Sequence, residues 1–195
     1  MKHSRGLVTG ILLFSIVIFI MACGERKKEK HKSDDADVNT AVDTGEDSAV
    51  YIEADSWRSW SPPKSLSEYS LVRFVTDPFK LNGLYSASAR YEKGDKWLTV
   101  QIIDGSSDQG KREIREHLEI VDMERNYSSE YGYEKTLVRN GIKAKEDYLS
   151  SPANQYLIKF IVDDHYGISV KSNAESAEDI WAMIDELDLG QIEGS

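Results

Sequence analysis

The stretch "LYSASARYEKGDKWLTVQIID", residues 84–104, decides the fold class. Side chains of a strand point alternately to its two faces. Here Tyr85, Ala87, Ala89 and Tyr91 share one face of a first strand, and Leu98, Val100 and Ile102 share one face of a second. Lys93, Gly94 and Asp95 supply the turn between them. The stretch reads as a β-hairpin with one apolar face, and such a face has to be covered by another layer.

Downstream, the polar loop "DGSSDQG" leads into Ile114, His117, Leu118 and Val121 at helical spacing, with Arg112, Glu116, Glu119 and Arg125 left for the wet side. That spacing predicts an amphipathic helix of about four turns over 111–127. Residues 131–138 then read as a strand, Asn140-Gly141 is a strong hairpin signal, and residues 142–149 return. "SSPANQ" turns the chain into the β-rich run "YLIKFIV" at 156–162, and "DDHYG" turns it into "ISVKS" at 168–172. A capping box at Ser176-Ala177-Glu178-Asp179 precedes Ile180, Met183, Ile184 and Leu187, which predicts a closing helix with Gly190 as its stop. The expected order is β-β-α-β-β-β-β-α. This defines an α+β fold, one curved, mostly antiparallel sheet with two helices packed on one face.

Upstream, "LVRFVTDPFKLNG" alternates weakly and contains Pro78, which predicts an edge strand or a break. Ahead of it, Trp57 and Trp60 in "SWRSWSPPKSLSEY" have two readings. They either pin the entering chain to the domain or stack on a sugar ring. Order is expected to begin there, so that 57–195 form a single globular domain. Residues 24–56 hold one aromatic, Tyr51, and two charge blocks, "ERKKEKHK" and then an acidic run without Lys or Arg. Such a segment cannot bury enough apolar surface to order itself, so 23–56 are expected to form a disordered charged tether.

The whole chain of 195 residues carries a formal charge of −10. An acidic surface of this kind argues against nucleic acid as a partner, because phosphates demand Lys and Arg. A single cysteine excludes any intramolecular disulfide. Lys2, His3 and Arg5 precede a nearly unbroken apolar run over 7–20, which has the layout of a secretory signal and is shorter than the roughly 20 residues that span a bilayer.

Directly after that run, Ile20-Met21-Ala22-Cys23 resembles the lipobox of bacterial lipoproteins. The resemblance covers residues 1–24. It implies cleavage after Ala22, with 1–22 as signal peptide, and a diacylglyceryl group on the Cys23 thiol, often joined by an acyl chain on the new amino terminus. Two or three acyl chains hold a protein far more firmly than one. The chain would then sit on the cell membrane or outer membrane with its domain outside the cytoplasm. An uncleaved anchor over 7–22 is the competing reading.

Chemistry has few candidates. No G-x-S-x-G elbow, P-loop or dinucleotide fingerprint occurs. His117 reads as a packing residue with one hydrogen bond. Asp163, Asp164 and His165 read as a polar turn, because a zinc site needs further His or Cys partners. No catalytic, cofactor-binding or metal-binding residue is therefore assigned, and the lipobox resemblance implies Cys23 as the lipid-attachment site. Ten tyrosines, a residue type favoured at recognition surfaces, point to a binding or interaction module of the cell envelope, with an envelope protein as partner beside the membrane itself. The alternatives are an envelope hydrolase using Asp104, Asp163 and Asp164, and a purely structural envelope protein. Replacing Cys23 with Ser is expected to release or mislocalise the protein, which fractionation and mass spectrometry of the intact chain read directly; a variant that stays in the membrane uncut would overturn the lipoprotein reading.

Overall fold

The computed structural model describes residues 51–52 and 54–192. The expected signal peptide, the lipid-attachment point at Cys23 and the tether through residue 50 lie outside the described residues. The elements are β1 (Tyr51–Ile52), β2 (Ser65–Leu66), β3 (Tyr69–Thr76), β4 (Ser86–Lys93), β5 (Lys96–Asp104), α1 (Asp108–Glu113), α2 (Arg115–Glu119), β6 (Asn126–Ser129), β7 (Gly132–Arg139), β8 (Ile142–Leu149), β9 (Gln155–Val162), β10 (Tyr166–Ser172) and α3 (Ala177–Asp185).

The strands form one open sheet in the order β1-β3-β4-β5-β10-β9-β8-β7-β6, with β2 also on β3. Two meanders, β3 to β5 and β6 to β10, are joined where β10 pairs antiparallel with β5. The pairing of β1 with β3 is the parallel one; the other pairs are antiparallel. The fold is thus sheet-dominated with few helices. No helix among the described residues is long and apolar enough to cross a membrane.

The two helical segments do not share a face, contrary to the sequence expectation. The register puts Tyr91, Leu98 and Ser172 in one cross-strand row, and Val100, Val170 and Ile158 in the next. This face carries the main core, to which α3 adds the buried Ile180, Trp181, Met183 and Ile184, with Trp181 stacked on Phe160. Each such side chain contributes about 1.5–3 kcal/mol of gross burial energy, before conformational entropy is subtracted. The neighbouring residues Ile103, Ile161 and Ser169 point the other way, and there Ile114 packs with Leu84 and Ile103 while His117 meets Ser169. Alternation along the strands gives this sheet two faces that both need cover, and one helical segment goes to each.

The first helix is shorter than its spacing predicts. It breaks at Ile114, resumes as α2, tightens into a 3₁₀ turn over Ile120–Asp122 and gives way to β6, which begins inside the range expected to be helical. The buried positions are Ile114, His117 and Ile120, a period of three, whereas Leu118 and Val121 are exposed. A period of three suits a 3₁₀-like path better than the 3.6 of an α-helix.

Other boundaries move as well. β1 lies within the segment assigned to the tether, so ordered pairing begins six residues ahead of Trp57. β3 has partners on both sides, and Pro78 falls past its end. α3 is capped by Ser176, whose side chain accepts from the Asp179 N–H, but ends at Asp185, ahead of Gly190.

Gly110 shows how closely α1 sits on the sheet: a Cβ there would fall 1.9 Å from the carbonyl oxygen of Asp104. Backbone cannot swing aside as a flexible side chain does. Gly110→Ala is therefore expected to cost about 3 kcal/mol, the upper end of ordinary overpacking, and to lower the urea midpoint with an unchanged slope. A midpoint equal to that of the parent chain would mean that α1 is free to lift.

Candidate functional site

The residues named from the sequence fall into separate places. Trp57 and Trp60 close a tight turn on each other, N–H to carbonyl at 2.8 and 3.0 Å, with Arg58 and Ser59 between them in the left-handed region. Both rings are buried. Trp60 donates Nε1–H to the Leu187 carbonyl at 2.9 Å and meets Phe74 edge-on, and Trp57 meets Tyr166 in the same manner. They pin the entering chain, and their burial removes the sugar-stacking reading.

Arg58 at the tip of this turn reaches Asp104, Nη2 to Oδ2 at 2.7 Å. Asp104 is fully buried and also accepts the Ser106 N–H. Asp163 and Asp164 are the exposed, left-handed residues of the turn between β9 and β10, and the His165 ring folds back on the Asp163 carbonyl. With Asp104 committed to an ion pair and the other two on an exposed turn, these carboxylates form no acid–base pair. No group of three or more His, Cys, Asp or Glu among the described residues is placed to hold a metal ion.

His117 is a packing residue, 4% exposed, with Nε2 2.9 Å from Ser169 Oγ. Burial pushes its pKa down to about 4, assisted by the Lys159 ammonium and opposed by Glu116. Glu116 itself is held below the usual carboxylate range by its bond to Lys159, against the opposing effect of burial. Lys145 extends this network to Asp147 at 3.2 Å and Glu134 at 3.6 Å. Beside His117, Phe79 and Leu81 rim a small cavity of about 230 Å³.

A larger groove, about 400 Å³, opens over β6 to β9. The register builds its floor from two adjacent cross-strand rows: Lys171, Leu157, Asp147, Glu134 and Tyr127 form one, and Gln155, Leu149, Gly132 and Ser129 the other. Tyr127 and Tyr131 stand at its rim, 64% and 61% exposed. Asp147 lies at its inner end. Burial raises the Asp147 pKa, partly offset by Lys145, and its Oδ1 has no hydrogen-bond partner among the described residues. The groove thus combines aromatic walls, aliphatic floor and one under-coordinated carboxyl oxygen, a composition typical of binding sites with few orienting polar groups.

The opposite face of these strands carries a tyrosine ladder. Tyr156 stacks on Tyr148 at 4.5 Å, and Tyr148 leans on Tyr133 at 5.7 Å. Five of the ten tyrosines therefore belong to this half of the sheet, two at the groove rim and three in the ladder. Abundance of tyrosine is visible in the sequence; its concentration on β6 to β9 requires the register. The chain matches no protein family, no curated protein and no solved structure.

The buried His117 makes a pH prediction with a definite sign. Its folded pKa lies below the usual value of 6.5, so the unfolded chain binds the extra proton. Stability is full above about pH 6.5 and is lost as pH falls toward about 4, by up to about 3 kcal/mol from this residue. His117→Gln keeps a polar atom toward Ser169 without a titratable ring. Urea unfolding at about pH 7 and about pH 4.5 is expected to show a smaller acid loss for the variant than for the parent; equal losses would place the sensitivity elsewhere.

Proposed function

We propose that the protein is a membrane-anchored bacterial lipoprotein, lipidated at Cys23, whose domain is a binding module of the cell envelope and whose binding site is the groove on β6 to β9. The anchor part rests on the lipobox-like Ile20-Met21-Ala22-Cys23 after a basic and apolar leader. The observation that carries the binding part is the groove itself, with Tyr127 and Tyr131 exposed over an aliphatic floor of Leu149 and Leu157. Exposed tyrosines offer large contact area at a small entropy cost, because their rings have few rotamers to lose.

A hydrolase has less support, since its three proposed carboxylates, Asp104, Asp163 and Asp164, stand apart in burial and partner. On the binding reading, the partner is an envelope protein or a ligand presented at the outer side of the membrane.

Photo-crosslinking in intact cells tests the groove. A photoreactive residue at position 131 is expected to give one reproducible adduct that is absent when the probe is moved to the exposed Lys64, and that is lost in a Tyr127→Ser, Leu149→Ser background. Indistinguishable adducts from the two positions, or none from position 131 in a correctly folded chain, would remove the groove as the site.

A further inference from the structure

Along β3 the alternation of faces is broken once. Tyr69 and Leu71 point into the main core, and strict alternation would send Arg73 after them. A register shift between Leu71 and Arg73, with Val72 as the extra residue, turns Arg73 to the other face and puts Phe74 into the core instead. Bulges of this kind re-aim a side chain and are over-represented beside functional sites. Here the bulge creates a cross-strand pair of like charge, because Arg73 stands directly opposite Arg90 of β4. Side chains so placed start about 5 Å apart, and like charges there destabilise a sheet.

Arg90 is held in position. Its Nε donates to Glu92 at 2.7 Å, its Nη1 reaches Thr99 Oγ1 at 3.5 Å, and its guanidinium lies 5.0 Å from the centre of the Trp97 ring. Arg73 is exposed, and among the described residues no carboxylate pairs with it. Two guanidiniums thus have one carboxylate between them. Together with Val75, Pro78, Ser88 and Thr99 they line a cavity of about 240 Å³. The Ser88 hydroxyl makes no hydrogen bond among the described residues.

We infer that this cavity on β3 to β5 is an anion site whose ligand is a compact, soluble phosphate monoester, its phosphate held between Arg73 and Arg90 and its organic part against Val75 and Pro78. A monoester brings about 1.5 to 2 negative charges and three strong acceptor oxygens. Guanidinium forks match such a group two bonds at a time, and Ser88 and Thr99 add hydroxyl donors. A carboxylate, with fewer oxygens and a single charge, leaves part of this donor set unused. A long polyanion or an anionic surface would also meet the rest of a chain whose formal charge is −10, whereas a compact ester does not. The site is separate from the groove on β6 to β9, since Lys171, which lines the groove, lies two strands or about 10 Å from Arg90. It depends neither on the groove as a binding site nor on lipidation at Cys23.

The test titrates the full-length chain, in neutral detergent and phosphate-free buffer, with phenyl phosphate by isothermal calorimetry. One saturable site per chain is expected, and acetate at the same ionic strength should not compete for it. Arg73→Gln and Arg90→Gln are each expected to weaken binding about 10-fold or more, and Lys64→Gln, which removes an exposed charge elsewhere, by less than about 2-fold. Urea unfolding separates a ligand-binding role from a structural one. Without phosphate, Arg73→Gln should unfold at the same urea concentration as the parent or a higher one, because the like-charge pair is relieved, and phenyl phosphate should raise the midpoint of the parent alone.

Absence of saturable binding to the parent overturns the inference, as does equal binding by Arg73→Gln or an equally large loss in Lys64→Gln. A lower midpoint for Arg73→Gln without phosphate would mean that Arg73 is already satisfied in the fold, which overturns it too. Acetate competing as well as phenyl phosphate would remove the phosphate class. Glycerophosphoglycerol, a soluble phospholipid headgroup, is a diester; tighter binding of it than of phenyl phosphate would overturn the soluble monoester and give the site to lipid.

Discussion

Glu146 sits at 1% exposure in the middle of the sheet, and the arrangement around it ties together elements far apart in the chain. Trp181 of α3 donates to Oε2 at 2.9 Å; Tyr133 OH donates to Oε1 at 2.6 Å and Lys135 Nζ approaches it at 2.9 Å, both from β7. Burial alone would raise the pKa of this carboxyl, but the three donors overcome it and hold the group below the usual carboxylate range. A buried charge with its partners removed is costly, whereas the satisfied set is stable and directional. Trp181 can stack on Phe160 and still satisfy its N–H only with α3 at one height over the strands. The same carboxylate ends the apolar core on one side and begins the tyrosine ladder on the other. The core and the half-sheet that forms the groove therefore share one polar joint.

The opposite face is organised by a different balance. Only a small apolar cluster around Ile114 lies there, and much of the rest is held by charge: Glu116 against Lys145 and Lys159, with Glu134 and Asp147 completing the set. Partly exposed ion pairs contribute little each, on the order of 1 kcal/mol or less. Their value here is positional, because they occupy the strand surface between α2 and the groove with groups that resist burial by another helix. The groove stays open because its neighbours are charged.

How much of this was legible in the sequence depended on whether a signal was local. The hairpin of β4 and β5, the turn at Asn140-Gly141 and the Ser176 cap are set by neighbours within a few residues, and each is present. The face on which each helix packs is not a local property. Alternation alone points Ile102 and Ile103 to opposite faces, but that Ile103 meets Ile114 while Ile102 joins the main core depends on where the helical segments pack, which no local signal carries. Likewise the stripe Ile114, His117, Leu118 and Val121 matches a helix on paper, yet a period-three burial won because Ile114 is wedged against Gly167, where a Cβ would come within 2.5 Å of Ile114 Cγ2. The groove was least legible of all, since its floor is made of residues from several strands whose only relation is register.

The route by which the chain enters the domain follows from the same comparison of local and long-range contacts. β1 offers two residue pairs with β3, too few to resist a pull on the preceding segment. The next hold is the Trp57 to Trp60 turn, whose two left-handed residues cost on the order of 1 kcal/mol each and are retained because the rings at either end are locked into the core. Arg58 then reaches Asp104 at the far end of β5, and Trp60 reaches the Leu187 carbonyl beyond α3. A force arriving from the amino-terminal side would thus detach β1 first and be borne by contacts with β5 and with the segment after α3. On the lipoprotein reading this is the mechanical link between acyl anchor and domain, and it lies at the end of the sheet opposite β6.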